Sequence, residues 1–208
     1  MLKSKYFFRL WLCLFLWSTV QAAWAQENLP AIVKKISPAV VVVETQKGNK
    51  KGLGTGFFIN SRGQIVTNYH VIYGADHAVV RTQAGHRYPV KRIVAENREA
   101  DLVLITADIP GQEISPIEIS GKLPEVGEKI YAIGHPMGLE KTVSEGIVSA
   151  IRKLPKLGDI IQITAAISPG SSGGPVFNAS GVVIGVARAT LRAGQNLNFA
   201  VPGQKVLQ

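Results

Sequence analysis

The 208-residue chain has a single cysteine, Cys13, so no disulfide can close within it, and stability must come from core packing. Long amphipathic helical patterns are also missing, which argues against a doubly wound α/β sheet, because that fold needs crossovers of about a dozen residues or more. Metal-ligand spacing is absent as well: His77, His86 and His135 are dispersed, so no structural zinc and no cofactor are expected. Acidic residues are the scarcer sign, 14 against 23 basic ones, for a formal net charge of +9. The basic residues are spread along the chain without a stripe interleaved with aromatics, so the excess reads as solvated surface, and no nucleic-acid partner is expected.

What is present begins with an export signal. Lys3, Lys5 and Arg9 precede an apolar run from Leu10 to Val20, and Ala23-Trp24-Ala25 has the small-x-small form of a cleavage site. Residues 1–25 are therefore read as a signal peptide, with cleavage before Gln26. The run is shorter than the roughly 20 residues of a membrane span, so stable insertion is not expected once the signal is cut; retention as an anchor is the alternative. Cleavage leaves 183 residues (208 less 25), no cysteine and a charge of +6.

Leu29, Ile32, Val33 and Ile36 have helical spacing, and Ser37-Pro38 ends that helix. Short apolar runs follow, separated by Gly, Pro, Asn and Ser. They include Ala39–Thr45, Gly52–Ile59 after a polar loop at 46–51, Ile65–Ile72, His77–Arg81, Arg87–Ala95 and Asp101–Ile105. A second series comprises Lys129–Ile133, Thr142–Ile151, Asp159–Thr164, Pro175–Phe177, Val182–Ala187 and Leu197–Val201. This pattern predicts an antiparallel all-β architecture. A Gly/Pro-rich connector at 108–126 divides it into two portions of similar strand content, about 38–107 and about 127–202, consistent with paired barrels.

The stretch Ala165-Ala166-Ile167-Ser168-Pro169-Gly170-Ser171-Ser172-Gly173-Gly174-Pro175 sets a serine among glycines before an apolar strand. Glycines permit close backbone approach and unusual dihedrals, as a nucleophile beside backbone donors requires; a plain Gly/Ser turn is the other reading. Activated serine chemistry needs an alcohol, a base and a group that orients the base. Ser172, His70 and Asp101 are the candidates. Asp101 stands at the edge of an apolar strand, where an unpaired acid pays a desolvation cost that a histidine partner relieves.

Thr67-Asn68-Tyr69-His70-Val71, Ala100-Asp101-Leu102-Val103-Leu104 and Gly170-Ser171-Ser172-Gly173-Gly174-Pro175 resemble the histidine, aspartate and nucleophile motifs of the HtrA/Deg family of trypsin-fold peptidases. Supporting segments are Ser37–Val41, Gly54-Thr55-Gly56-Phe57, Gly134–Leu139 and Leu197–Pro202, so the likeness runs from about residue 29 to 202 in the family's order. The resemblance implies a trypsin-like double antiparallel β-barrel over residues 26–208. It implies His70, Asp101 and Ser172 as catalytic residues and the Gly170 and Ser172 amides as oxyanion hole. The activity it implies is that of an exported serine endopeptidase, periplasmic or secreted, acting on unfolded or misfolded polypeptides in protein quality control. Trimerisation is also implied; Leu29, Ile32 and Ile36 could pack between protomers or cover the protomer's own barrel.

Departures from the family pattern also bear on function. Ser171 replaces the usual asparagine, Thr164 stands where many members have aspartate, and the loops at 46–51 and 152–158 are short. The chain stops at Gln208 with no room for a PDZ domain, so it is either a protease-only member or a shortened one. No acidic residue lies in 186–196 to pair a substrate Lys or Arg, and the resemblance implies cleavage after small or medium aliphatic residues. Arg188 and Arg192 are read as favouring acidic substrate groups or as loop surface. The competing reading is a catalytically weak protease-fold protein that binds peptides in a chaperone-like way.

Overall fold

The computed structural model describes residues 29–135, 141–155, 157–188 and 197–208. The signal segment, Pro136–Leu139 and Arg192 lie outside the described residues. Two closed six-stranded antiparallel barrels make up the fold, as the alternation of short apolar runs and turn residues predicts.

The first barrel contains β1 (Val40–Lys47), β2 (Lys50–Phe58), β3 (Gln64–Asn68), β4 (His77–Arg81), β5 (Arg87–Asn97) and β6 (Leu102–Ala107), in the order β1-β2-β3-β6-β5-β4. Lys47 pairs with Lys50 across β1 and β2, so only Gly48-Asn49 forms the turn. The polar 46–51 segment read as a loop is thus mostly strand, because a two-residue hairpin lets the ladder run almost to its tip. The Ile65–Ile72 run is likewise not one strand. β3 stops at Asn68, and Tyr69–Ile72 turns into a one-turn helix carrying His70.

The second barrel contains β7 (Lys129–Gly134), β8 (Thr142–Leu154), β9 (Gly158–Ile163), β10 (Pro175–Asn178), β11 (Val183–Arg188) and β12 (Asn198–Pro202), in the order β10-β11-β12-β9-β8-β7. The connector is held on both sides: Ile117 N–H donates to Phe58 O at 3.0 Å and Ser120 N–H to Val183 O at 2.8 Å.

Each barrel has its own core. Val41, Phe58, Ile65, Val80, Val103 and Ile105 fill the first, and Ile130, Val148, Ile161, Ile163, Val176 and Ile184 fill the second. A third cluster bridges them, joining Val40, Phe57, Val66 and Leu102 to Tyr131, Ile133, Phe177 and Val186. Burying each such side chain contributes roughly 1.5–3 kcal/mol, so the barrels are bound through a shared apolar layer. Ile36 is buried in this layer, with Leu29, Ile32 and Val33 packed against it. The Leu29–Ile36 helix therefore covers the protomer's own core. No helix among the described residues is long and apolar enough to cross a membrane.

Candidate active site

Asp101 enters the site through a strained turn. Its φ of +59° is the only positive value at a non-glycine among the described residues, a conformation Asp tolerates better than most side chains. Tyr69 N–H and Asn68 Nδ2 both donate to Asp101 O, at 3.1 and 3.0 Å. These bonds fix the backbone on which the carboxylate is mounted. Asp101 Oδ1 accepts the His70 backbone N–H at 2.9 Å, and Oδ2 lies 2.7 Å from His70 Nδ1. The structure thus brings two of the three sequence candidates into direct contact, with the carboxylate nearly buried and the imidazole half-exposed.

Burial pushes the Asp101 carboxyl up. Bonds from the His70 ring and backbone, with the charges of His70 and Arg188, outweigh it and leave the group below its ordinary 3.8. The carboxylate is therefore charged across the neutral range. It can hold the Nδ1–H tautomer of His70, leaving the other ring nitrogen as a base.

The serine loop is fastened to the first barrel by backbone contacts. Thr55 N–H donates to Ser172 O at 2.8 Å, and Thr55 Oγ1 donates to Gly170 O at 2.7 Å while accepting His135 N–H at 3.1 Å. Thr67 Oγ1 in turn donates to Thr55 O at 2.7 Å, three residues before His70. Gly173 shows how close the approach is: a Cβ there would stand 2.1 Å from Thr55 O and 3.0 Å from Asn68 N. Only glycine fits, and this residue follows Ser172. Gly173 N–H also donates to Ala187 O at 2.9 Å, tying the loop to β11. Ser172 is buried, and among the described residues no hydrogen bond joins its hydroxyl to His70. Such contacts are often open before substrate binds.

Gly170, with φ +95°, and Ser172 have backbone N–H groups that donate to no protein acceptor among the described residues. Two unpaired donors beside a buried serine are the raw material of an anion-binding pocket. The segment before them is pinned by Ser144 Oγ to Ala166 O at 2.8 Å and Asn198 Nδ2 to Ala165 O at 2.9 Å. Thr164, noted as a departure, exchanges two bonds with Ile147: its N–H donates to Ile147 O at 3.0 Å and its Oγ1 accepts Ile147 N–H at 2.8 Å.

Two contacts of the site are not legible in the sequence. Thr55 stands there only within a supporting segment; a small polar residue between two glycines is the available signal. Arg188, read as substrate-facing or loop surface, instead donates from Nε to Asp101 Oδ2 at 3.0 Å. Sequence spacing cannot show a contact across 87 positions. Among the described residues no cluster of His, Cys, Asp and Glu could hold a metal ion.

Known proteins share this architecture. Residues 54–186 match the family described as "Trypsin-like peptidase domain". "Protease Do-like 1, chloroplastic" of Arabidopsis thaliana is 33% identical over 195 residues, covering 85% of this chain and 43% of the relative. "Probable periplasmic serine endoprotease DegP-like" of Marinomonas sp. is 39% identical over 165 residues, covering 76% of this chain and 35% of the relative. The solved "HtrA-type protease AlgW with tripeptide" superposes with a TM-score of 0.76 at 32% identity, over 85% of this chain and 60% of that one. The chain spans between 35% and 43% of the length of these two curated relatives. The chain belongs to the trypsin-like peptidase family, in its HtrA/Deg group.

Proposed function

We propose that this protein is an exported serine endopeptidase that cuts unfolded polypeptides, with His70, Asp101 and Ser172 as its catalytic residues. The observation that carries the reading is the two-point grip of Asp101 on His70, through ring and backbone, beside a buried serine whose loop is latched to the same barrel. Ser172 Oγ attacks the scissile carbonyl carbon as its proton passes to His70 Nε2. The C–O bond forms, the carbonyl electron pair moves onto oxygen, and the oxyanion meets the Gly170 and Ser172 N–H groups. His70 returns the proton to the leaving amine as the C–N bond breaks; water then repeats the sequence to release the acyl group. Asp101 remains ionised throughout and supports the imidazolium. No carboxylate is carried by residues 186–196, which supports cleavage after small or medium aliphatic residues rather than after Lys or Arg. Export is supported by the signal-like N-terminus and by the Marinomonas relative, whose name places that protein in the periplasm.

The test is labelling by a serine-directed fluorophosphonate, run beside cleavage of unfolded casein with mass spectrometry of the fragments. The wild-type chain is expected to label and to cut after small aliphatic residues. S172A is expected to do neither while keeping its fold. A folded wild-type chain that binds casein without labelling would overturn the proposal in favour of a binding protein.

A further inference from the structure

Asp101 belongs to the first barrel and Arg188, at the end of β11, to the second. Yet Arg188 Nε reaches Asp101 Oδ2 at 3.0 Å, the same oxygen that faces His70 Nδ1 at 2.7 Å. The arginine side chain is 27% exposed and the Asp101 side chain 8%, so the pair is only partly screened by water. A guanidinium stays charged at any pH the protein meets. It is thus a fixed cation on the carboxylate that supports the imidazole.

We propose that Arg188 is a positioning residue that clamps Asp101 from the opposite barrel and makes the His70–Asp101 pair a weaker base, keeping it unprotonated to lower pH. The proposal deepens the serine-endopeptidase reading, on which only its kinetic consequence rests. The electrostatic argument is direct. A proton added to the imidazole is stabilised by Asp101, and Arg188 offsets part of that negative charge while repelling the new positive one. With an effective dielectric near 20 and several ångström between charges, one unit charge shifts proton uptake by about one to two pH units, and partial exposure brings this to about one.

Among the described residues, the other charged and titratable groups around the pair do not supply the same effect. Arg98, in the loop leading to Asp101, pairs with Glu96 at 2.7 Å and lies 5.3 Å over the Tyr69 ring. That pair carries little net charge. Glu99 of the same loop is exposed. Tyr69, next to His70 on its helix, and Tyr73, just after that helix, meet as tilted rings with centroids 5.3 Å apart, and Lys47 lies 6.0 Å over the Tyr73 ring. Among the described residues, Arg188 is the arginine or lysine in contact with the carboxylate itself.

NMR titration of the full chain provides the test, following the His70–Asp101 pair as a unit from about pH 4 to about pH 9. R188Q and R188M are expected to raise the midpoint of proton uptake by about one pH unit, and R188K, which keeps the charge, by less than half of that. A midpoint unmoved in R188Q, or moved equally in R188K and R188Q, overturns the proposal, because the effect would then be absent or one of packing. Spectral dispersion reports folding. Should only R188K fold, an unmoved midpoint supports the proposal and a rise of a full unit overturns it. In parallel, the acid limb of the fluorophosphonate labelling rate is expected to move to higher pH in R188Q. A chain that never labels but whose titration depends on Arg188 overturns the serine reading and keeps this one. A chain that labels through Ser172 with an Arg188-independent titration does the reverse.

Discussion

The two barrels hold their parts of the site by different means. On the first-barrel side, His70 sits half-exposed on a one-turn helix and is aimed by polar bonds from Asp101. On the second-barrel side, the Ser172 loop is buried and latched by backbone contacts with almost no free space. The strands show both extremes of exposure without dividing by barrel, since β8 of the second barrel has a single buried residue among thirteen. β5 of the first barrel is largely exposed along its eleven residues, whereas all five residues of β12 in the second are buried. A base has to swing a proton between two partners and tolerates solvent. Backbone donors that meet an oxyanion must already be in place, because reorganising them during the reaction would cost the stabilisation they supply. Under the proposed mechanism, freedom beside His70 and close packing beside Ser172 are therefore what the chemistry asks for.

The largest effect that would break this contrast comes from filling the gap behind Ser172. Gly85 and Gly173 share a φ of +87°, but a Cβ at Gly85 meets nothing within 4 Å, while one at Gly173 would stand 2.1 Å from Thr55 O and 2.3 Å from Thr67 Oγ1. G85A is expected to cost only the dihedral strain, about 1 kcal/mol. G173A adds a clash with a backbone oxygen that cannot retreat without breaking the Thr55 latch, and should cost about 4 kcal/mol or more, with labelling lost. Urea denaturation of both variants decides the matter. Equal costs would show that the latch is loose after all.

Thr55 sharpens the comparison, since it is where the two barrels meet the serine loop. In T55V the Gly170 carbonyl and the His135 N–H both lose their partner, while the backbone bond from Thr55 to Ser172 remains available. Two buried groups left unpaired should cost about 2–3 kcal/mol, and a loosened Gly170 peptide should slow labelling about tenfold. T55S keeps the hydroxyl and is expected to restore both. Labelling at the wild-type rate in a destabilised T55V would mean that Thr55 secures the fold without placing the donors.

Most of the strands were legible because their signal is local: Val40-Val41-Val42-Val43 has no other convincing reading than a buried strand, and Pro38 marks its start. The Tyr69–Ile72 helix was not, because its apolar residues continue those of β3 and nothing in Asn68-Tyr69-His70-Val71 breaks a strand. It forms because Asp101 binds Tyr69 N–H, His70 N–H and the Asn68 side chain at once. That cause lies some thirty residues away. Arg188 is the same case at longer range: residue type shows a cation, and only the closed barrels show which anion it meets. The candidate serine, histidine and aspartate were legible for the opposite reason, since each is embedded in a short run whose glycines or apolar neighbours are needed on the spot.

The smallest expected effect separates the barrels by their response to acid. His135, just after β7, is buried, and its Nδ1 has no hydrogen-bond partner among the described residues. Burial, with the charges of Arg81 and Lys141 nearby, lowers it from 6.5 to about 4. On the first-barrel side, Glu113 accepts bonds from Thr82, Tyr88 and His86 that lower it from 4.5 to about 2. Both groups hold protons less tightly when folded, so each favours the folded state at higher pH, and that advantage is lost as pH falls. For His135 the loss falls between 6.5 and about 4; for Glu113 it falls between 4.5 and about 2. H135N removes the first window alone. Wild type is therefore expected to lose on the order of 2 kcal/mol more than H135N between neutral pH and pH 4, after allowance for solvent screening, with parallel curves below that. Urea unfolding at a series of pH values measures the difference. If H135N and wild type fall in parallel from neutrality, His135 is taking up its proton in the folded chain, and the second barrel is more open to water around β7 than its serine loop is.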